Sequence, residues 1–317
     1  MERIKTNFDS SNFVVSSLPS YVQENRDLII KNFALVGTDT RKRIGLQTGI
    51  KTSGYLNYLA IAPVLQDGKG CGFSASGSAT LTQRTVTTAI IKVNMDICPD
   101  SILGKYPEYL VRIGASAEEL PFEQYVIDGL TRELNKKIEK LIWQGDHTKS
   151  SDTDLKWIDG FIYQFDNDSD VVDVAIANGT AAWNAVFAVY GAMTEEALER
   201  GGVIFVSPAL YRSFVLGLMT ANLFHYSAPD QAYPDEIFLP GTNVKLVKTP
   251  GLAGVDNKIV GTFAENLVYA CDVEGDSEDI KLWFSDDDDL FKLKVKWNSG
   301  VAYHFPNQVV LGTIANS

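Results

Sequence analysis

The chain has only three cysteines, Cys71, Cys98 and Cys271, far apart and without CxxC spacing. That excludes a disulfide framework or zinc ribbon as the basis of the fold and reads as reduced thiols in a cytosol. Its three histidines, His147, His225 and His304, sit in unrelated segments, so metal-ligand spacing is missing. No run of about 18 uncharged apolar residues occurs, which removes a membrane-spanning helix. The polar start, MERIKTNFDSSNF, lacks a signal-peptide core. Positive charge is scarce as well. With 28 Lys and Arg against 40 Asp and Glu, the net charge of −12 opposes tight unspecific binding to nucleic acid.

What is present is enough apolar material for a core. The 317 residues are 45 % hydrophobic and 21 % charged, which suits one large or two modest domains. Internal repeats and low-complexity segments are absent. Residues 1–45 have no sustained period apart from a short helix signal behind Ser20, and read as an extended arm held by something else. YLNYLAIAPVLQ (55–66) is a strand-like run interrupted by Pro63. Residues 67–93, DGKGCGFSASGSATLTQRTVTTAIIKV, read as a hairpin with a Gly/Ser-rich first limb and an alternating second one. Neither limb has the apolar surface of a core element.

The strongest periodicity lies in 118–145. Phe122, Val126, Leu130, Leu134, Ile138 and Ile142 recur every four residues, with Tyr125 and Leu141 widening the stripe. Ser116 and Glu119 offer a capping box and Gly145 a stop, giving a helix about 37 Å long that lays one apolar face along a sheet. Residues 179–201 read as an Ala-rich helix pair or one broken helix, VIFVSP (203–208) as a doubly buried strand, and 209–224 as a helix entered through Ser207-Pro208. The last third is strands split by Gly, Pro and Asp turns. Within it FKLKVKWNSGVAYHF reads as a hairpin about the NSG turn, with Phe291, Leu293, Val295 and Trp297 alternating against Lys292, Lys294 and Lys296.

No catalytic, cofactor-binding or metal-binding constellation emerges. Gly68, Gly70 and Gly72 are followed by a β-rich run rather than the helix N-terminus a phosphate loop needs. DNDSD (166–170) begins like a calcium loop, but Val171 stands where the loop needs Gly and Ala177 where it needs Glu, so a solvated turn is expected. The SDDDDL run (285–290) reads as an exposed turn of repelling carboxylates.

The order of arm, hairpin, long helix, α/β lobe and returning strands resembles the major capsid proteins of tailed phages, the Hong Kong 97 type of fold. IEKLIWQGD followed by WIDGFI is similar to the end of that family's spine helix. GVIFVSPALYRSFVLGLM resembles its strand-to-helix step, and FLPGTNVKLVKTPGL with DDLFKLKVKWNSGVAYHFPNQVVLGTI resembles its late strands. The resemblance implies an α+β fold with an N-terminal arm (1–54), an E-loop hairpin (55–97) and a first part of the P-domain carrying the spine helix (98–165). An A-domain (166–262) and returning P- and A-domain strands (263–317) complete it.

It also implies a structural shell subunit rather than an enzyme, without cofactor, forming hexamers and pentamers of an icosahedral head. The expected partners are further copies of the chain, a separate scaffolding protein and a portal, around double-stranded DNA that is enclosed without specific binding, and no membrane. The expected place is the virion capsid, assembled in the host cytoplasm. The short arm and Met1 fit an unprocessed chain. Intersubunit E-loop contacts are expected at Lys69, Cys71, Phe73, Arg84 and Val86, and packing of the spine helix at the six stripe residues from Phe122 to Ile142. The alternatives are an encapsulin-like nanocompartment shell and, from another class, a metal hydrolase using Asp286–Asp289.

Overall fold

The computed structural model describes residues 39–66, 77–98, 122–220, 235–272, 279–288 and 290–315. Residues 1–38 of the arm with the helix behind Ser20, the Gly/Ser limb with Lys69, Cys71 and Phe73, the turns of 99–110, the Ser116 capping box and His225 lie outside the described residues. The chain divides into two compact units. The described part of the first falls within Ile91–Leu134 and Asp276–Trp297, and that of the second within Thr38–Ile90, Asn135–Gly275 and Asn298–Ser317.

In the second unit a short strand, β1 (Gly45–Gln47), precedes two ten-residue strands, β2 (Ser53–Ala62) and β3 (Ser78–Thr87). Among the described residues these pair antiparallel only with each other, from Ser53 opposite Thr87 to Ala62 opposite Ser78. The expected hairpin over 67–93 is therefore shifted. Its upstream limb is the apolar run from residue 53, and β2 ends just before Pro63, which has no N–H for a ladder. The residues after Thr87 leave as β4 (Ala89–Ile97), which pairs with a later strand. Thr88 makes the break: its N–H donates to Thr52 O at 2.9 Å.

The helix α1 (Phe122–Gln144) contributes residues to both units. At 23 residues it is about 35 Å long. Leu134, Ile138, Leu141 and Ile142 are buried as the four-residue period expects, and Leu130 is half-buried. The side chains of Phe122 and Val126 lie outside the described residues. Past the helix, Gly145 N–H donates to Leu141 O and Gly160 N–H to Gly145 O, both at 2.9 Å. A Cβ on Gly160 would stand 2.7 Å from Gly145 N and 2.8 Å from Ile142 O, so only two bare backbones cross here. The paired glycines of IWQGD and WIDGF have this physical reason. Trp143, buried at the same level, packs on Phe161 and Phe205 with ring centroids 5.3 and 5.2 Å away.

The α/β lobe is built from α2 (Phe161–Asp166), β5 (Val172–Ile176), α3 (Ala182–Ala192), α4 (Glu195–Glu199), β6 (Gly202–Val206) and α5 (Pro208–Thr220). The strands β7 (Glu236–Phe238), β8 (Lys245–Lys248) and β9 (Lys258–Phe263) follow, then β10 (Leu267–Ala270). The 179–201 segment thus resolves as a helix pair, broken at Met193. The lobe's mixed sheet has the order β5-β13-β9-β6-β8-β7, where β13 is Val310–Ile314. All five residues of β6 are buried, as the unbroken apolar run VIFV requires of a central strand. Ser207 caps α5, its Oγ accepting from Leu210 N at 3.2 Å, with Pro208 in the first turn. Val186, Val189, Phe214 and Leu218 from the helices close over Ile204, Leu246 and Ile259.

The returning strands are β11 (Asp279–Ser285) and β12 (Leu290–Tyr303). In the first unit β12 pairs antiparallel with β11, Leu293 opposite Leu282 and Lys294 opposite Lys281. In the second unit its last residues pair with β10, which pairs in parallel with β1. The expected hairpin about Asn298-Ser299-Gly300 is corrected: β12 is one continuous 14-residue strand. Asn298 is buried, and its amide donates to Ile50 O at 2.9 Å and Lys51 O at 2.7 Å, so the turn-forming residue satisfies a neighbouring backbone instead. A Cβ on Gly300 would meet Thr88 Cγ2 at 2.9 Å, which explains a strand glycine without a turn.

Candidate assembly surface at the hairpin

Two strands of ten residues reach about 34 Å, and an isolated two-stranded ribbon is at best marginally stable in water. The root of β2–β3 is fastened to its own chain. Leu56 and Val86 are buried with Ile50, Val268, Ala270 and Ala302, and the Tyr58 ring meets Phe305 edge-on at 4.2 Å. Val86 is 0 % exposed, so its expected role as an intersubunit contact is corrected: the β-branched side chain fills a core in its own molecule.

Arg84 is also engaged at home. Its guanidinium lies over the Tyr303 ring, 3.8 Å from the centroid, and its Nη2 donates to Asp168 Oδ2 at 2.5 Å. The Tyr303 hydroxyl donates to the same oxygen at 2.6 Å. Burial disfavours the Asp168 carboxylate, but the Tyr303 hydroxyl, Arg84 and the Asp170 N–H outweigh it and hold its pKa below the usual aspartate value. The Tyr303 phenol is pushed up by burial and by Asp168. Asp168 had been read from DNDSD as part of a solvated turn. Only the fold brings β3, this turn and β12 together.

Other apolar side chains of the ribbon are exposed. Tyr55 is 61 % exposed and Leu81 60 %, and past the end of β2 Val64 is 56 % and Leu65 99 % exposed. Sequence reasoning did not single these residues out, although the signal was legible: YLNYLAIAPVL places apolar residues at both alternating positions of a strand. Lys69, Cys71 and Phe73 lie outside the described residues.

The remaining titratable groups form no reaction centre among the described residues. His147 Nδ1 lies 2.7 Å from Asp159 Oδ1 on an exposed loop, and the half-buried His304 ring has a pKa lowered by burial. Asp286 and Asp287 are exposed, and Asp288 pairs with Lys292 and accepts from Ser285 Oγ. Among the described residues, Cys98 is exposed and Cys271 buried, and neither forms a disulfide.

No sequence-family description matches the chain, and no curated protein matches it. Solved structures do. A chain of the satellite phage P4 procapsid including its size determination (Sid) protein aligns with a TM-score of 0.58 at 13 % identity, over 93 % of this chain and 100 % of that one. Gordonia phage Cozz aligns at 0.53 and 14 % identity, over 88 % and 87 % of the two chains. The capsid of an empty GTA particle aligns at 0.51 and 10 % identity, over 88 % and 90 %. The chain therefore has the α+β fold of phage capsid proteins.

Proposed function

We propose that the chain is the major capsid protein of a tailed, double-stranded DNA bacteriophage, a structural subunit that assembles with copies of itself into an icosahedral head. The observation that carries this reading is the β2–β3 ribbon, anchored at Val86 and Arg84 and apolar on its outer surface at Tyr55, Leu81 and Leu65. A ribbon built this way costs free energy in water and gains it when laid across another subunit. The pairing also hides two strand edges that would otherwise template aggregation. The capsid-like fold supports the same reading.

In this reading hexamers and pentamers form the shell in the host cytoplasm, guided by a separate scaffolding protein and a portal. The net charge of −12 suits a wall that lets enclosed DNA slide rather than adhere. The test is expression with and without the scaffolding partner, followed by sedimentation and electron microscopy. Closed shells of uniform diameter are expected. A stable monomer under every assembly condition would overturn the proposal.

A further inference from the structure

On an acidic chain, one cleft of the first unit is basic. It has a volume of about 220 Å³ and is lined by Lys92, Lys292, Lys294, Asp96 and Trp283 among others. Trp283 is 44 % exposed and offers an apolar floor. Asp288 reaches Lys292, but Lys92 and Lys294 have no carboxylate partner among the described residues. The turn that supplies Asp288 carries the converse surplus. Asp286 and Asp287 are exposed and have no cation there.

We propose that the Asp286–Asp288 turn of one copy docks into the Lys92–Lys294 cleft of a second copy, so that the shell is knit by a charge-complementary contact. The occupant follows from complementarity. Both surpluses lie in the same unit of the same chain, yet among the described residues neither is balanced by an ion pair. Lys294 lies two strand residues beyond Lys292, about 7 Å farther from the turn. A second copy satisfies both, and a contact between unlike patches closes into a ring when its rotation allows. Because copies of charge −12 repel, such a patch also selects the productive orientation. This inference rests on the shell reading and names one of its contacts.

The test uses the full chain in two variants, K92E/K294E and D286K/D287K, with circular dichroism to check the fold. Each alone is expected to reduce the sedimenting shell fraction about tenfold or more, because like charges then face each other. Mixing the two is expected to restore assembly, since each variant's turn then faces an oppositely charged cleft. That rescue also requires both variants to be folded. Assembly of the wild type is expected to weaken near 1 M salt, where charges are screened beyond about 3 Å. Wild-type shells together with normal assembly of K92E/K294E would overturn the contact alone. So would failure of the mixture to exceed either variant, and so would unchanged assembly with lost retention of double-stranded DNA in a gel shift, which would assign the cleft to nucleic acid. Absence of any wild-type association would overturn the shell reading and the contact together.

Discussion

Arg84 stacks on Tyr303 at 3.8 Å, and both side chains deliver a hydrogen bond to a single oxygen of Asp168. This joins the hairpin strand β3 to the final residues of β12 and to the turn before β5. Next to it lies the Val86 core, while Tyr55 and Leu81 of the same ribbon are exposed. The junction therefore ties the hairpin to its own chain.

Replacing Asp168 tests that junction. D168N keeps the shape but loses the charge, and is expected to cost about 2 kcal/mol, the range for hydrogen bonds to ionised groups. Hydrogen exchange should rise in Ser53–Ala62 and Ser78–Thr87 while the α/β lobe stays protected. Y303F, which removes one neutral donor, should cost about 1 kcal/mol. Unchanged exchange in D168N would show that the junction does not hold the hairpin.

The same carboxylate makes the root sensitive to acid. The folded-state pKa of Asp168 is depressed below 3.8, so its contribution is present above that value and is lost as pH falls through the folded value. The difference in Tm between wild type and D168N should be constant from about pH 8 to 5 and close below the ordinary aspartate value of about 3.9. His304, whose pKa is lowered by burial, also opposes folding as it charges in acid, but it does so in both proteins and cancels in the difference.

Folding and assembly are separable on the hairpin. Val86→Ala leaves a cavity in a fully buried cluster and should cost about 2 kcal/mol of stability in the single subunit. Y55S/L81S removes exposed apolar surface, so the subunit's Tm should stay within about 1 °C, since surface changes usually move stability by under about 0.5 kcal/mol. Shell yield should nonetheless collapse. Sedimentation alongside thermal melts distinguishes the two classes.

Much of this was legible in the sequence wherever one residue's neighbours decide its environment. The four-residue period placed Leu134, Ile138 and Ile142 on the buried face of α1, and the unbroken VIFV run marked the buried β6. Long-range pairing was not legible. Asn298-Ser299-Gly300 has turn chemistry but sits inside β12, because Asn298 satisfies Ile50 and Lys51 carbonyls 248 and 247 residues away in sequence. Thr85 and Val86 alternate correctly for a strand, yet alternation does not reveal which face meets its own chain. Val86 turned inward for that reason, and Asp168 emerged from a turn that local pattern assigns to solvent.

The glycine crossing predicts a sharp effect at one atom. Gly160→Ala places a methyl against the backbone of Gly145 and Ile142, which cannot retreat without unwinding the end of α1. A loss of about 3 kcal/mol or more is expected by analogy with overpacked cores, whereas Gly191→Ala, with open space around its Cβ, should be neutral or slightly stabilising. Denaturant midpoints for the two variants settle the comparison.

Electron cryomicroscopy of particles formed by the full chain tests the central claim most directly. The account predicts closed icosahedral shells in which Tyr55, Leu81 and Leu65 lie against an adjacent copy while Val86 stays in its own core. Particles whose ribbon folds back wholly on its own subunit, or a preparation that remains monomeric, would contradict it.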